Sequence, residues 1–450
     1  MPDLQKLLSP ISIALVGASS NSNKVGGIVL KNLQDRYHGK IYPVHPTELE
    51  VSGLKCYSSV KSLPETPDLV IIAIPVDKAL LVLEEIGQQK IKNVLIYSAG
   101  FKESEDGKIN EQKLLEIAKK YELNIIGPNC LGFLNNDVNL NTTFGQAPSQ
   151  NGNLKILSQS GAIATSFFDW SQNHSLGINQ FISLGNKSVL NENHFLEYWS
   201  KDKSNNFTEE GLSNLHPIGM YLESITDGQK LIEISKKISN SIFLLKPGKS
   251  PEASNAMMSH TGSLAGADDV LNQALLEANI IRTNTLEEFF DLAKALSWED
   301  APIGPNVAII SNAGGPGVIC ADAIATSPLK LANLSDETTK ILSEKLPRSA
   351  SLHNPIDVLG DALSDRFGSA LDAVLSETDV HSVIVLLTPQ IMTQIKETAQ
   401  IIGEKSQEYQ KPIYCSFIGG SQVIEGEKIL NEFRIPNFNF PENAIKALSQ

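Results

Sequence analysis

The stretch LSQSGAIA (157–164) changes character within a few residues. It closes the apolar run LKILS (154–158), passes through a turn of Ser and Gly, and continues into the helical pattern that begins at Gly161. A short β-branched or leucine-rich run, then small residues, then a helix start is the beginning of a βαβ unit in a parallel sheet. The same order recurs in LVGASS (15–20) and ISNAGGPG (310–317). Around each of the three turns, further buried-strand runs alternate with helical stretches. The first block has runs at 12–18, 40–44, 68–74, 93–97 and 123–127, with helices expected over 77–87 and 109–120. The second has runs at 154–158, 179–184, 218–223 and 241–246. The third has runs at 306–311, 382–387 and 412–417. This pattern predicts an α/β protein with three parallel-sheet domains. The polar stretch 135–153 reads as a connection between the first and second, and 200–216 as an exposed loop.

A strand, a tight small-residue turn and a helix start together make an anion site. The first N–H groups of the helix have no partner inside it and point outward, and Gly allows close backbone approach. One such turn carries little weight, because many α/β folds need a tight turn there for packing. Three in one chain carry more. The first turn, GASSNSNKVGG (17–27), is not GxGxxG, and no Asp or Glu follows the second strand until Glu48. The carboxylate that takes ribose hydroxyls in a nicotinamide site is therefore missing. This suits a nucleotide with a phosphorylated ribose, CoA or NADP, and Lys24 is either a point charge for such a phosphate or a solvated side chain.

The composition narrows the classes. The 450 residues carry 41% hydrophobic and 20% charged residues, as a soluble globular protein does. A net charge of −14 argues against a nucleic-acid partner, though not against a small anion held by backbone dipoles. No apolar run is long enough to span a bilayer, and the N-terminus lacks a signal-peptide pattern. The cysteines Cys56, Cys130, Cys320 and Cys415 have neither zinc nor disulfide spacing, which places the chain in a reducing cytosol. Cys130 reads as a buried structural thiol.

The ordered set VGAS…KVGG, YPVHP, IAIP, SAGF, GPNCLG, SQSGA, SLGNK, YLE, SHTGSLAG, SNAGGPG and NPIDVLGDA runs through nearly the whole chain. It resembles the α part of NDP-forming (ADP-forming) acyl-CoA synthetases, in the superfamily of succinyl-CoA synthetase. The resemblance implies a Rossmann-like CoA-binding domain over 1–135. Two flavodoxin-like ligase domains then follow over 150–298 and 303–450. It implies the reaction acyl-CoA + phosphate + ADP ⇌ acid + CoA + ATP, through an acyl phosphate and a phosphohistidine.

The resemblance makes His260, in MMSHTGSLAG (257–266), the phosphorylated residue, where a lone histidine among Gly and Ser would otherwise read as a solvated loop residue. It gives Glu223 the other imidazole nitrogen to hydrogen-bond. Ser160 and Gly161 then hold phosphate, and Gly314, Gly315 and Gly317 form a second phosphate-holding helix start. CoA falls to Gly17, Ala18, Ser19, Lys24, His45, Pro46, Pro75, Ser98, Ala99, Gly100 and Asn129. Gly185, Asn186 and Lys187 lie near the substrate region by analogy. No metal cage is evident, and Mg2+ is expected only with the nucleotide on the partner component.

No segment resembles an ATP-grasp domain, so a β component is expected as a separate subunit or a fused C-terminal region, in an oligomer acting on a small carboxylic acid. The stop at FPENAIKALSQ (440–450), inside a helical pattern, points to a piece of a longer fused synthetase. Two other readings stand beside this one. A non-catalytic CoA-responsive regulatory module is argued against by the retained His260 and Glu223. An NADP-dependent oxidoreductase would explain only the first block.

Overall fold

The computed structural model describes residues 4–145, 150–201, 216–253 and 268–450. His260 lies outside the described residues, as does most of the 200–216 stretch expected to be a loop. The chain forms two compact units, Met1–Thr285 and Leu286–Gln450.

The first unit holds two large sheets. One has strands β1 (Ser12–Val16), β2 (Lys40–Val44), β5 (Leu69–Ile72), β6 (Asn93–Ile96) and β7 (Asn124–Ile126), in the order β2-β1-β5-β6-β7. Every pairing in it is parallel. A small hairpin, β3 (Glu50–Val51) with β4 (Leu54–Lys55), follows β2. Covered on both faces by helices, such strands read as unbroken apolar runs, and β1, β5 and β6 are buried at every residue.

The other sheet has seven strands in the order β14-β13-β12-β10-β11-β8-β9. They are β8 (Phe133–Asn135), β9 (Leu140–Asn141), β10 (Leu154–Ser158), β11 (Ile178–Ser183), β12 (Ile218–Tyr221), β13 (Ile242–Leu245) and β14 (Ile280–Thr283). The strands β10 to β14 are parallel, and β8 adds to β11 antiparallel. Here the structure departs from the sequence reading, because the start of the expected 135–153 connection is an edge of this sheet. Its polar residues hid it. Asn135, Asn136, Thr142 and Thr143 are all buried, yet each is hydrogen-bonded. Asn136 Nδ2 donates to the Ile178 carbonyl at 2.6 Å, and Thr142 Oγ1 to the Phe133 carbonyl at 2.8 Å. Hydrogen bonds offset much of the cost of burying polar side chains, and hydropathy does not see this.

The second unit opens with the helix Leu286–Trp298. This helix meets the helix Pro441–Leu448 through Asn443 Nδ2, which donates to Glu287 at 2.9 Å and Asp291 at 3.0 Å. The sheet of this unit has β15 (Asn306–Ser311), β16 (Lys330–Leu331), β17 (Ile356–Asp357), β18 (Ser382–Leu387) and β19 (Ile413–Phe417). Its order is β16-β15-β18-β19, with β17 beside β15, and all pairings are parallel.

In each sheet the chain leaves one strand toward a neighbour on one side and later returns to its other side. Those strands are β1, β10 and β15, and they carry the three Gly- or Ser-rich turns. The order therefore reverses at each turn, and ligands of open parallel sheets bind in such crevices.

A backbone seam joins the two sheets of the first unit at their carboxyl ends. The amides of Asn186, Ser188 and Leu190 donate to the carbonyls of Pro128, Gly127 and Ile125 at 2.9, 3.2 and 3.2 Å. Gly185, at φ +54°, lets the loops meet: a Cβ there would overlap the carbonyl oxygens of Pro128 and Asn129. Gly185→Ala is expected to lower stability by more than about 1 kcal/mol, since both the positive φ and the contact disfavour a side chain. Gly228→Ala, at a helix start with nothing within 4 Å, is expected to be neutral or stabilising by up to about 1 kcal/mol. Urea unfolding of both variants followed by circular dichroism checks the contrast.

Candidate functional site

The carboxyl edge of the first sheet gathers every residue that the sequence reading assigned to CoA. Gly17 ends β1 at φ +89°, where a Cβ would lie 2.6 Å from the Ala73 carbonyl oxygen. Gly26 packs its helix directly on the Gly17 carbonyl, so the turn and the helix Val25–Arg36 form one tight unit. Ala18 is buried beneath it, Ser19 is half-buried, and Lys24 is the exposed residue preceding the helix. His45 and Pro46 follow β2, with the His45 amide donating to the Tyr57 carbonyl at 2.9 Å. Pro75 precedes the helix Val76–Gln88. Ser98 donates its hydroxyl to the Ile74 carbonyl, tying the end of β6 to that of β5. Ala99 is exposed beside it, and Gly100 sits at φ +98°. Asn129, exposed at φ +55°, follows β7 and reaches Asn186 at 3.5 Å.

The carboxyl edge of the second sheet is a ridge of ionic and amide side chains. Ser160 caps the helix Gly161–Asn173, its Oγ accepting from the Ile163 amide at 3.3 Å. Ser158 Oγ donates to the Ser160 carbonyl at 2.7 Å and fixes the turn. Gln159 is buried, and its amide donates to the Tyr221 carbonyl at 2.9 Å. Its Oε1 accepts from the amides of Glu223 and Ser224 at 3.0 and 3.2 Å. Glu223 stands just past the end of β12 and is only 7% exposed.

Lys187 lies beyond the end of β11, with φ +54° and a buried side chain. Its Nζ donates to Glu192 Oε2 at 2.8 Å and to the Ser224 carbonyl at 2.6 Å. Glu192 is fully buried at 0% exposure, and its Oε1 accepts from the Thr226 amide at 2.7 Å. Burial pulls the Lys187 ammonium below the usual lysine range, against the opposing pull of Glu192 and, more weakly, Glu223. Lys246 follows β13, buried, with Nζ donating to the Pro247 carbonyl at 3.1 Å. Burial lowers its pKa, and Arg282 adds to the effect, while Asp268 and Glu223 oppose it. Two buried ammonium groups thus flank the Glu223 carboxylate beside a helix start, an arrangement suited to an anion that meets a hydrogen-bond acceptor.

Glu103 connects the two edges. It accepts from the amides of Gly100 and Phe101 and from Asn186 Nδ2, all within 3.1 Å. Burial alone would raise this carboxyl; the bonds from Asn186 and the backbone outweigh it and hold it below the usual carboxylate range. In the second unit, Gly314 and Gly315 start the helix Gly314–Ala325 and are exposed, with nothing within 4 Å of a Cβ at Gly315. Gly317 is buried, where a Cβ would stand 3.3 Å from Pro355. Asp357 lies beside this helix start, 3.5 Å from the Cβ position of Gly314.

Cys130 is buried, its thiol donating to the Ile96 carbonyl at 3.3 Å, and burial pushes its pKa up to about 12. A thiol so protonated is no nucleophile at neutral pH. Among the described residues, no His, Cys, Asp or Glu cluster could hold a metal ion, and no helix is long and apolar enough to cross a membrane. Sequence reasoning missed Gln159, Glu192, Glu103 and Lys246 as members of the site. Lys246 had a signal, since a lysine closes the otherwise apolar run SIFLLK. Glu192 had none, because an acid at a helix start reads as a solvated one.

Three family models cover the chain: a CoA binding domain at residues 11–136, a succinyl-CoA ligase like flavodoxin domain at 151–296, and a Ligase-CoA domain at 307–448. The chain is 37% identical over 456 residues to acetate–CoA ligase (ADP-forming) I subunit alpha of Pyrococcus furiosus, covering 99% of this chain and 96% of that one. It is 38% identical to 4-hydroxybutyrate–CoA ligase (ADP-forming) of Nitrosopumilus maritimus and 36% to acetate–CoA ligase (ADP-forming) I of Archaeoglobus fulgidus. These matches take in 98% and 99% of this chain but only 63% of the length of either relative. The solved structure of Ca. Korarchaeum cryptofilum dinucleotide forming acetyl-coenzyme A synthetase 1, in complex with phosphate and ADP, superposes with a TM-score of 0.93 at 33% identity. It covers 100% of this chain and 96% of that one. With an alpha subunit matched almost end to end, the chain belongs to the ADP-forming acyl-CoA ligase family and corresponds to its alpha part.

Proposed function

We propose that this chain is the CoA-binding and phosphohistidine-carrying part of an NDP-forming acyl-CoA synthetase. The reaction is acyl-CoA + phosphate + ADP ⇌ acid + CoA + ATP. The observation that carries the reading is the edge of the second sheet, where the buried carboxylate of Glu223 stands one strand away from the helix start at Ser160 and Gly161. The proposal reads the chain as a CoA-binding domain over 1–135 and ligase domains over 150–298 and 303–450. Acetate and 4-hydroxybutyrate, named for the relatives, support a small carboxylic acid as the other substrate.

CoA is held at the carboxyl edge of the first sheet by the turn at Gly17, Ala18 and Ser19, with Lys24, His45, Pro46, Pro75, Ser98, Ala99, Gly100 and Asn129 around it. The reading is supported by the tight turn at Gly17, whose φ of +89° and 2.6 Å approach of a Cβ to the Ala73 carbonyl oxygen leave no room for a side chain. Phosphate sits on the N–H groups after Ser160, next to Gly161. Its oxygen attacks the thioester carbon, the C–S bond breaks, and CoA leaves as a thiolate that takes up a proton. The imidazole of His260 then attacks phosphorus, and the P–O bond to the acyl group breaks to release the carboxylate. Glu223 accepts the N–H of the other imidazole nitrogen and so steadies the positive charge that develops on the ring. The helix start at Gly314, Gly315 and Gly317 holds the phosphoryl group during exchange with the nucleotide. The nucleotide itself, with Mg2+, belongs to an ATP-grasp β component, either a partner subunit or a fused region, in a cytoplasmic oligomer.

Intact-mass spectrometry of the chain after incubation with phosphate and a panel of acyl-CoAs tests the reading. The expected result is an acid-labile gain of one phosphate that is absent in His260→Asn. No gain with any acyl-CoA, with or without the ATP-grasp component, would contradict it. Calorimetry gives a second test: CoA is expected to bind and NADPH not to displace it. Tight NADPH binding without competition from CoA would point to the oxidoreductase reading instead.

A further inference from the structure

The turn that bears Glu223 is held in an unusual way. Most backbone amides that are hydrogen-bonded within a protein bond to other backbone groups. Here the amides of Glu223, Ser224 and Thr226 all donate to side chains: the first two to Gln159 Oε1 and the third to Glu192 Oε1. The Ser224 carbonyl in turn accepts from Lys187 Nζ at 2.6 Å. Gln159 comes from the end of β10, and Lys187 and Glu192 come from the segment after β11. The turn is therefore gripped from two strand ends, on both its amides and its carbonyl.

Stability does not explain this grip. Lys187 and Glu192 are 8% and 0% exposed, and desolvating two ions consumes most of what their attraction returns. An apolar pair of the same size would hold the fold as well. It would not hold the amide of Thr226 and the carbonyl of Ser224. Lys187 also stands at φ +54°, a conformation that L-residues rarely adopt, and from there its Nζ reaches both Glu192 and Ser224.

We propose that Gln159 and the buried Lys187–Glu192 pair are positioning residues for Glu223, fixing its carboxylate at one place on the strand-end ridge. The proposal rests on the role given to Glu223 above. A carboxylate that must meet one ring nitrogen loses its effect when it is displaced by about 1 Å. None of the three side chains needs to touch the phosphoryl group.

The test is the rate of phosphohistidine formation, read by intact mass, in a set of full-chain variants. Gln159→Met removes the acceptor for two amides. Lys187→Met combined with Glu192→Leu removes both ions together, so that no unpaired charge is left buried. Each is expected to slow labelling by about 10- to 100-fold, with the dissociation constant for CoA unchanged. Each is then rebuilt on Glu223→Gln, itself expected to be about 100-fold slow, where it should change the rate by less than about 2-fold. Wild-type rates in the folded variants, or losses that multiply with Glu223→Gln, would overturn the proposal and leave the role of Glu223 standing. A wild-type rate in Glu223→Gln itself would instead overturn the reading on which the proposal rests. If the double variant does not fold, as judged by circular dichroism, Gln159→Met decides alone.

Discussion

The backbone seam between residues 125–128 and 186–190 is the constraint on which the first unit depends. Parallel sheets present their ligand sites at carboxyl edges, and two such sheets in one chain could face in any directions. Three amide-to-carbonyl bonds and the bare Gly185 bring the edges of these two together. Everything proposed for acyl transfer needs this. A thioester bound at the first edge can meet a phosphate at the second only if the edges adjoin. Glu103 strengthens the junction, since it ties the Gly100 loop to Asn186 and thus reaches the residue next to Lys187.

Along the second edge, burial and charge are balanced against each other. Glu223, Lys187, Glu192 and Lys246 are all among the most buried residues of their type, where a single unpaired ion would be costly. Partners offset that cost: Glu192 for Lys187, a backbone carbonyl for Lys246, Lys187 and the Thr226 amide for Glu192. Such an arrangement keeps water out while it keeps dipoles fixed, which is what stabilising a developing charge requires. The helix start at Ser160 contributes in the same sense, because its first amides point outward.

Much of the fold was legible in the sequence. The apolar runs at 12–18, 68–74 and 154–158 became β1, β5 and β10, the first two slightly shortened, because strands buried on both faces leave continuous apolar signatures. The three small-residue turns stood out for a physical reason as well, since strand order reverses at each. The antiparallel strands β8 and β9 were not legible: Asn135, Asn136, Asn141 and Thr142 look solvated and are in fact buried among their hydrogen-bond partners. In the site, motifs marked Ser160, Gly161 and Glu223, while Gln159, Glu192 and Glu103 act through contacts between residues far apart in the chain. No local pattern announces such contacts. His260, the residue most prominent in the sequence, lies outside the described residues.

In the proposed reaction, acyl transfer to phosphate occurs between the two adjoining edges, before any phosphoryl group reaches His260. Exchange of isotopically labelled CoA into acyl-CoA, in the absence of nucleotide, isolates this step. Exchange is expected only when phosphate is present, and is expected to continue in His260→Asn. Exchange without phosphate, or none with it, would rule out an acyl phosphate formed at these edges.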